Sequence, residues 1–191
     1  MSIALLDPTG QTTTRQSGLA PRKVRTLNGK TVGLLNNTKV KADYILDAVA
    51  DLLSERYSVK EFVRVTKEHF ARPMSDAIGD DMASRCDVVI TAIGSCGACS
   101  VGSVADAIMF EQRGVQAAAI LTDAFVKAGD AMARRYGMSD YRYALLPHPV
   151  ENLSRDESHD RVAGIVDEIA SILGLVALPV EDDVPLLTAA R

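Results

Sequence analysis

From residue 31 onward, short apolar runs alternate with segments in which apolar residues return every three or four positions. The runs 31–35, 59–65, 87–93, 115–121 and 143–146 predict strands, and the stretches 42–53, 76–84, 104–112, 124–136 and 155–173 predict helices. The last helix is the most regular: Val162, Ile165, Val166, Ile169, Ile172 and Leu173 line one face. Ser154 and Glu157 stand in capping-box spacing before it, and Gly174 follows as a stop. Several strand runs are apolar almost throughout, as expected when helices cover both faces of a sheet. Strictly alternating strands and helices predict right-handed crossovers and a mainly parallel five-stranded sheet, a single flavodoxin-like (Rossmann-like) three-layer sandwich.

Flanking this pattern, residues 1–30 are rich in Thr, Gly, Pro and Arg and read as an arm, either extended on the core or free. Residues 176–191 are rich in Pro and acidic residues and read as a tail, which leaves 31–175 as the α/β domain. The 191 residues, 47% of them apolar, suit one packed domain. A net charge of -4 without a basic stripe argues against a nucleic-acid surface. No apolar run approaches the roughly 20 residues of a membrane span. The N-terminal stretch lacks the charge and length of a signal peptide, so a cytoplasmic setting is expected. The two terminal segments suggest self-association into a homo-oligomer.

In a parallel sheet the ligand crevice lies beyond the carboxyl ends of the strands, where strand order reverses. With the order 2-1-3-4-5, the Asn36-Asn37-Thr38 loop would face the loop Ser95-Cys96-Gly97-Ala98-Cys99-Ser100, with Thr122, Asp123 and His148 on neighbouring strand ends. Cys96 and Cys99 are the candidate catalytic groups. Two thiols at this spacing can close a disulfide, share a proton or hold a soft metal, and a cysteine at a helix start tends toward thiolate. His148, held between Pro147 and Pro149, is a candidate acid or base, or an exposed loop histidine.

Asn36, Asn37 and Thr38 are either turn formers or substrate contacts, and Ser95, Gly97, Ser100, Thr122 and Asp123 complete the candidate binding set. Ser100 or Ser103 is the expected N-cap of the third helix, with Ser103 and Asp106 in capping-box spacing, and Asp123 is expected to cap the fourth. Cys86, at the opposite end of the sheet, reads as packing. No metal site is expected, since only one Cys-x-x-Cys is present without a second pair, and no nucleotide-binding glycine motif appears, so no cofactor is assigned.

The stretch Thr91-Ala-Ile-Gly-Ser-Cys96-Gly-Ala-Cys99-Ser, followed by Ser103-Val-Ala-Asp106, resembles the signature of the UGSC family, named for a Sec-Gly-Ser-Cys motif. Leu6-Asp-Pro-Thr9, Leu35-Asn-Asn-Thr-Lys39 with Asp43, Leu121-Thr-Asp-Ala-Phe125 and Pro147-His-Pro149 also resemble stretches of that family. Cys96 matches the selenocysteine, and Ala98 stands where the motif has serine. The resemblance implies that Cys96 is the reactive thiol. A more distant similarity is to aspartate/glutamate racemase-like enzymes, whose two thiols come from separate halves of the chain.

These readings converge on a thiol-dependent enzyme in which Cys96 attacks a small organic molecule and Cys99 resolves the adduct or shares its proton. A redox reaction drawing on a thiol reductant is expected first. A cysteine lyase, hydratase or isomerase acting on a small carboxylic acid is the alternative. A flavin- or metal-carrying module, or a non-catalytic subunit, stands as a rival of another class.

Overall fold

The computed structural model describes residues 18–176. Strands β1 (Thr31–Asn36), β2 (Glu61–Thr66), β3 (Val88–Gly94), β4 (Gln116–Thr122) and β5 (Ala144–Leu146) alternate with helices α1 (Ala42–Arg56), α2 (Asp76–Arg85), α3 (Gly97–Gln112), α4 (Val126–Arg135), α5 (Arg155–Ala163) and α6 (Val166–Leu173). A short 3-10 turn, Asp123–Phe125, precedes α4. The strands form one sheet in the order β2-β1-β3-β4-β5, and every adjacent pair is parallel. This is a flavodoxin-like three-layer sandwich, with strand order reversing between β1 and β3.

Alternation along the strands builds the two outer layers, since successive side chains point to opposite faces. Val32, Leu34, Val88, Ile90, Ala118 and Ile120 face α1, α5 and α6, whereas Leu35, Val89, Ala117, Ala119 and Leu121 face α2, α3 and α4. β1, β3 and β4 are buried on both sides, while the edge strand β2 is half exposed. Gly33 belongs to the second face because a Cβ there would lie 2.9 Å from both Cys86 Sγ and Met82 Cε. Cys86 thus packs, as expected, at the far end of the sheet from the strand tips.

Residues 18–30 dock on this core. The buried carboxylate of Glu111 accepts from the Ala20 N–H at 2.7 Å and pairs with Arg22 at 2.8 Å. Gln116 accepts from the Val24 N–H and donates to the Val24 carbonyl, and Leu27 is fully buried. The arm is therefore an extended strap over this stretch; its remainder, 1–17, and the tail 177–191 lie outside the described residues.

Several helix limits differ from expectation. The C-terminal helix keeps its Ser154–Glu157 capping box and ends at Gly174 with φ 76, but it divides at Gly164-Ile165 into α5 and α6. α3 starts at Gly97, seven residues before the expected start, because the cap comes from Cys96 and not from a serine. Ser103 and Asp106 accordingly form no capping box and lie buried in the middle of α3. Ser100, also inside the helix, donates from its hydroxyl to the Cys96 carbonyl at 2.8 Å.

Asp106 has another partner. It forms a buried ion pair with Lys67, the residue after β2, and accepts from the Met74 N–H at 2.6 Å, while Lys67 Nζ also donates to the Arg72 carbonyl at 2.7 Å. Burial pushes the Asp106 carboxyl up against the opposing pull of the Lys67 ammonium. The pair clamps the loop after β2 over α3, where the Phe70 carbonyl sits so close that a Cβ at Gly102 would approach it to 2.6 Å. Among the described residues, no helix is long and apolar enough to cross a membrane.

Breaking one side of this clamp leaves an uncompensated buried charge. Asp106→Ala is expected to lower the unfolding free energy by about 3–5 kcal/mol, read as a reduced urea midpoint. A midpoint equal to that of the unaltered protein would contradict the assignment.

Candidate functional site

The two cysteines of the Cys-x-x-Cys loop make the start of α3 between them. Cys96 is the N-cap, in extended backbone, and its sulfur accepts from the Cys99 N–H at 3.2 Å. The Cys99 sulfur accepts from the Cys96 N–H at 2.7 Å and donates its own proton to the Cys96 carbonyl at 3.1 Å. This is a capping box in which thiols replace the usual hydroxyl and carboxylate.

Both thiols are free, but they differ in access. Cys96 is partly exposed, and Cys99 is fully buried. Burial pushes the Cys99 thiol up to about 12, with the hydrogen bond and charge of Cys96 acting in the same direction. Burial alone accounts for most of the rise of Cys86 to about 11. At Gly97 nothing stands within 4 Å of where a Cβ would lie, so the loop opens to solvent on that side. The N–H groups of Gly97 and Ala98, first in the helix, have no carbonyl within α3 to bond.

A register shift between Ala92 and Gly94 interrupts the β3–β4 pairing, which resumes with Gly94 opposite Leu121 just before this loop. Beside it, the loop from β1 to α1 holds two non-glycine residues in the left-handed region, Thr38 at φ 66 and Lys41 at φ 68. That conformation is uncommon for a β-branched side chain such as threonine. Asn36 and Asn37 brace the turn at Thr38. Asn36 Oδ1 accepts from the Thr38 N–H at 2.7 Å, and Asn37 Oδ1 accepts from the Lys39 N–H at 3.1 Å. Asn37 is buried, and its amide nitrogen donates to the Ile93 carbonyl and to Ser103 Oγ, tying the β1 tip to β3 and α3. Its polar atoms are thus occupied by the fold, whereas Thr38 stays exposed and Asn36 partly so.

On the other side, Thr122 Oγ1 donates to the Gly94 carbonyl and lies 3.3 Å from His148 Nδ1. Asp123 caps no helix. Its carboxylate instead accepts from the His148 N–H at 3.0 Å and holds the loop after β5 against the tip of β4. His148 is exposed, its ring edge-on to Phe125 at 5.4 Å between centroids, and its side-chain hydrogen bond goes to Thr122 and not to a sulfur.

Two further features mark this end: Ser95, already a candidate from the sequence, and Glu151, which was not. Ser95 Oγ is buried with no hydrogen-bond partner, one residue from Cys96. Glu151, partly buried on the loop after β5, lies near that hydroxyl and accepts from the Val150 N–H at 3.2 Å. Burial pushes the Glu151 carboxyl up, but the Ser95 hydroxyl, the N–H groups of Glu151 and Val150 and the charge of His148 outweigh it and hold the carboxyl below its usual range. Only the proximity of Glu151 to the His-Pro segment could have signalled it. Among the described residues, no three His, Cys, Asp or Glu side chains converge to hold a metal ion.

The chain belongs to the UGSC family, whose family model matches residues 4–175. No curated protein matches it. The matched span includes the docked strap, every strand and helix of the sandwich and the cysteine loop.

The contrast between the three thiols sets an expected order of reactivity. In the folded protein at neutral pH, iodoacetamide should label Cys96 first, with Cys99 and Cys86 labelled only on unfolding, as peptide mass spectrometry would show. Labelling of Cys99 at a rate equal to Cys96 would contradict the geometry. The pH dependence has a definite sign as well. Because folding raises the Cys99 thiol from 9.0 to about 12, the stability it contributes is complete below pH 9 and is lost as the pH rises toward 12. Cys99→Ser should flatten that part of the alkaline unfolding profile, and an unchanged slope there would count against the assigned burial.

Proposed function

We propose that this member of the UGSC family is a thiol–disulfide oxidoreductase acting on a small molecule, with Cys96 as nucleophile and Cys99 as resolving thiol. The observation that carries the reading is the asymmetry of the reciprocal cap, with one cysteine partly exposed and the other buried three residues away. The Cys99 N–H is aimed at Cys96 Sγ at the start of α3, and Gly97 beside it leaves the approach open.

The Cys96 thiolate attacks one sulfur of a substrate disulfide, forming a mixed disulfide and releasing the first half as thiolate, which takes a proton from water. Cys99 then loses its proton to solvent and attacks the Cys96 sulfur, closing the Cys96–Cys99 disulfide and releasing the second half. An external dithiol reductant returns both cysteines to thiols and is itself oxidised to a disulfide. His148, held by Thr122 and Asp123 at the neighbouring strand tip, is the proposed group for proton exchange with leaving groups. The same histidine favours a second reading, in which Cys96 adds to or deprotonates a small carboxylic acid without net redox change.

One variant separates the two. Cys99→Ser incubated with a small disulfide should stop after one equivalent and accumulate a mixed disulfide on Cys96, visible as an intact-mass adduct that reductant removes. Multiple turnovers by this variant without reductant would overturn the redox reading in favour of the second.

A further inference from the structure

Thr122 ends β4, His148 lies just past β5, and a single hydroxyl hydrogen decides the state of the ring between them. Thr122 is fully buried, and its Oγ1 lies 3.3 Å from the Gly94 carbonyl oxygen and 3.3 Å from His148 Nδ1. A hydroxyl carries one hydrogen and can also accept, whereas a carbonyl oxygen only accepts. The Thr122 hydrogen therefore goes to Gly94, and the hydroxyl oxygen faces Nδ1 as an acceptor. Only a protonated Nδ1 makes that second contact a hydrogen bond. With the other neutral tautomer, Thr122 could satisfy the ring or the carbonyl but not both, and a buried polar contact left unmade is costly.

The segment that carries the ring is fixed from several sides. The His148 N–H donates to the Asp123 carboxylate at 3.0 Å, and Arg161 donates to the carbonyls of both flanking prolines, Pro147 at 2.6 Å and Pro149 at 3.2 Å. Phe125 meets the imidazole edge-on, with 5.4 Å between centroids. His148 is exposed, so with Nδ1 committed to Thr122 the other ring nitrogen, Nε2, is left for an incoming molecule.

We infer that Thr122 is a positioning residue: it holds neutral His148 as the Nδ1–H tautomer, so that Nε2 meets an incoming molecule as a proton acceptor. The use of that acceptor rests on the dithiol reading above. As a dithiol reductant approaches the Cys96–Cys99 disulfide, one of its S–H protons passes to Nε2. The thiolate so formed attacks Cys96 Sγ, breaking the S–S bond and displacing Cys99 as thiolate. The imidazolium, its Nδ1–H still donating to Thr122, gives up the Nε2 proton, directly or through water, to the displaced sulfur. The second thiol of the reductant then attacks the mixed disulfide, freeing Cys96 as a thiol and leaving the reductant as its own disulfide.

The test uses the full chain, reduced and labelled with the heavy nitrogen isotope, in buffer alkaline enough that further base leaves the histidine ring signals unchanged. Long-range proton–nitrogen correlation separates the tautomers, because a protonated ring nitrogen has a pyrrole-type shift and a bare one a pyridine-type shift. Comparison with His148→Gln identifies the signals of this ring. The expected result is a pyrrole-type Nδ1 and a pyridine-type Nε2. Thr122→Val should move the ring toward the Nε2–H form that free imidazoles prefer, and Thr122→Ser should restore Nδ1–H. Reduction of the oxidised protein by dithiothreitol should slow by about tenfold in Thr122→Val, part of the roughly hundredfold or more that a positioned base contributes, and recover in Thr122→Ser.

A pyridine-type Nδ1 in the unaltered protein overturns the inference whether or not any variant folds, and so does a tautomer unchanged in Thr122→Val. Undiminished reduction in a Thr122→Val protein whose tautomer has shifted overturns the use of Nε2 while leaving the dithiol reading standing. A protein in which no Cys96–Cys99 disulfide forms overturns that reading and the use of Nε2 together, and the ring spectrum still decides the role of Thr122.

Discussion

The start of α3 depends on two sulfur atoms. A helix leaves its first N–H groups without internal partners, and in most proteins a hydroxyl or carboxylate answers them. Here Cys96 and Cys99 accept from each other's N–H groups, so the structural cap and the candidate reactive pair are the same atoms. Chemistry at either sulfur changes the cap. On the proposed reading, a disulfide between them would form at the cap itself, so the same two sulfurs would serve the redox step and the start of the longest helix among the described residues.

The rest of the fold serves to present that cap. The 2-1-3-4-5 strand order brings the tip of β1 beside the cysteine loop, and Asn37 fixes the two together through Ile93 and Ser103. The Lys67–Asp106 pair and the close approach of Phe70 to Gly102 pin the loop after β2 across α3. The tips of β4 and β5 supply Thr122, Asp123, His148 and Glu151. Five strand ends thus contribute to one end of the sheet, where an open parallel sheet offers its crevice.

Much of this was legible in the sequence because it follows from periodicity. The apolar runs of β1, β3 and β4 announce strands buried on both faces, and the five alternations fix the parallel sheet and hence which loops meet. The limits of α3 were not legible, since the run Gly97-Ala-Cys-Ser-Val-Gly102 has weak helix propensity and cysteine is not a familiar cap. Asp106 was misread for a related reason. Its spacing from Ser103 imitates a capping box, and only tertiary structure reveals Lys67 across from it, 39 residues away in the chain. Asp123 likewise looked like a cap because its long-range partner is a backbone N–H, which leaves no trace in sequence. Glu151 escaped notice since an isolated glutamate in a loop is ordinary until the fold brings Ser95 and His148 near it.

On the proposed reading Cys96 and Cys99 form a working dithiol couple. Its most direct measurement is a redox titration in glutathione buffers of graded potential, followed by peptide mapping of the trapped protein. A working couple gives a reversible loss of two hydrogens, confined to the peptide that carries Cys96 and Cys99 and restored by reductant, with Cys86 remaining a thiol throughout. Three unchanged thiols across the whole series, or a disulfide that engages Cys86, would contradict it.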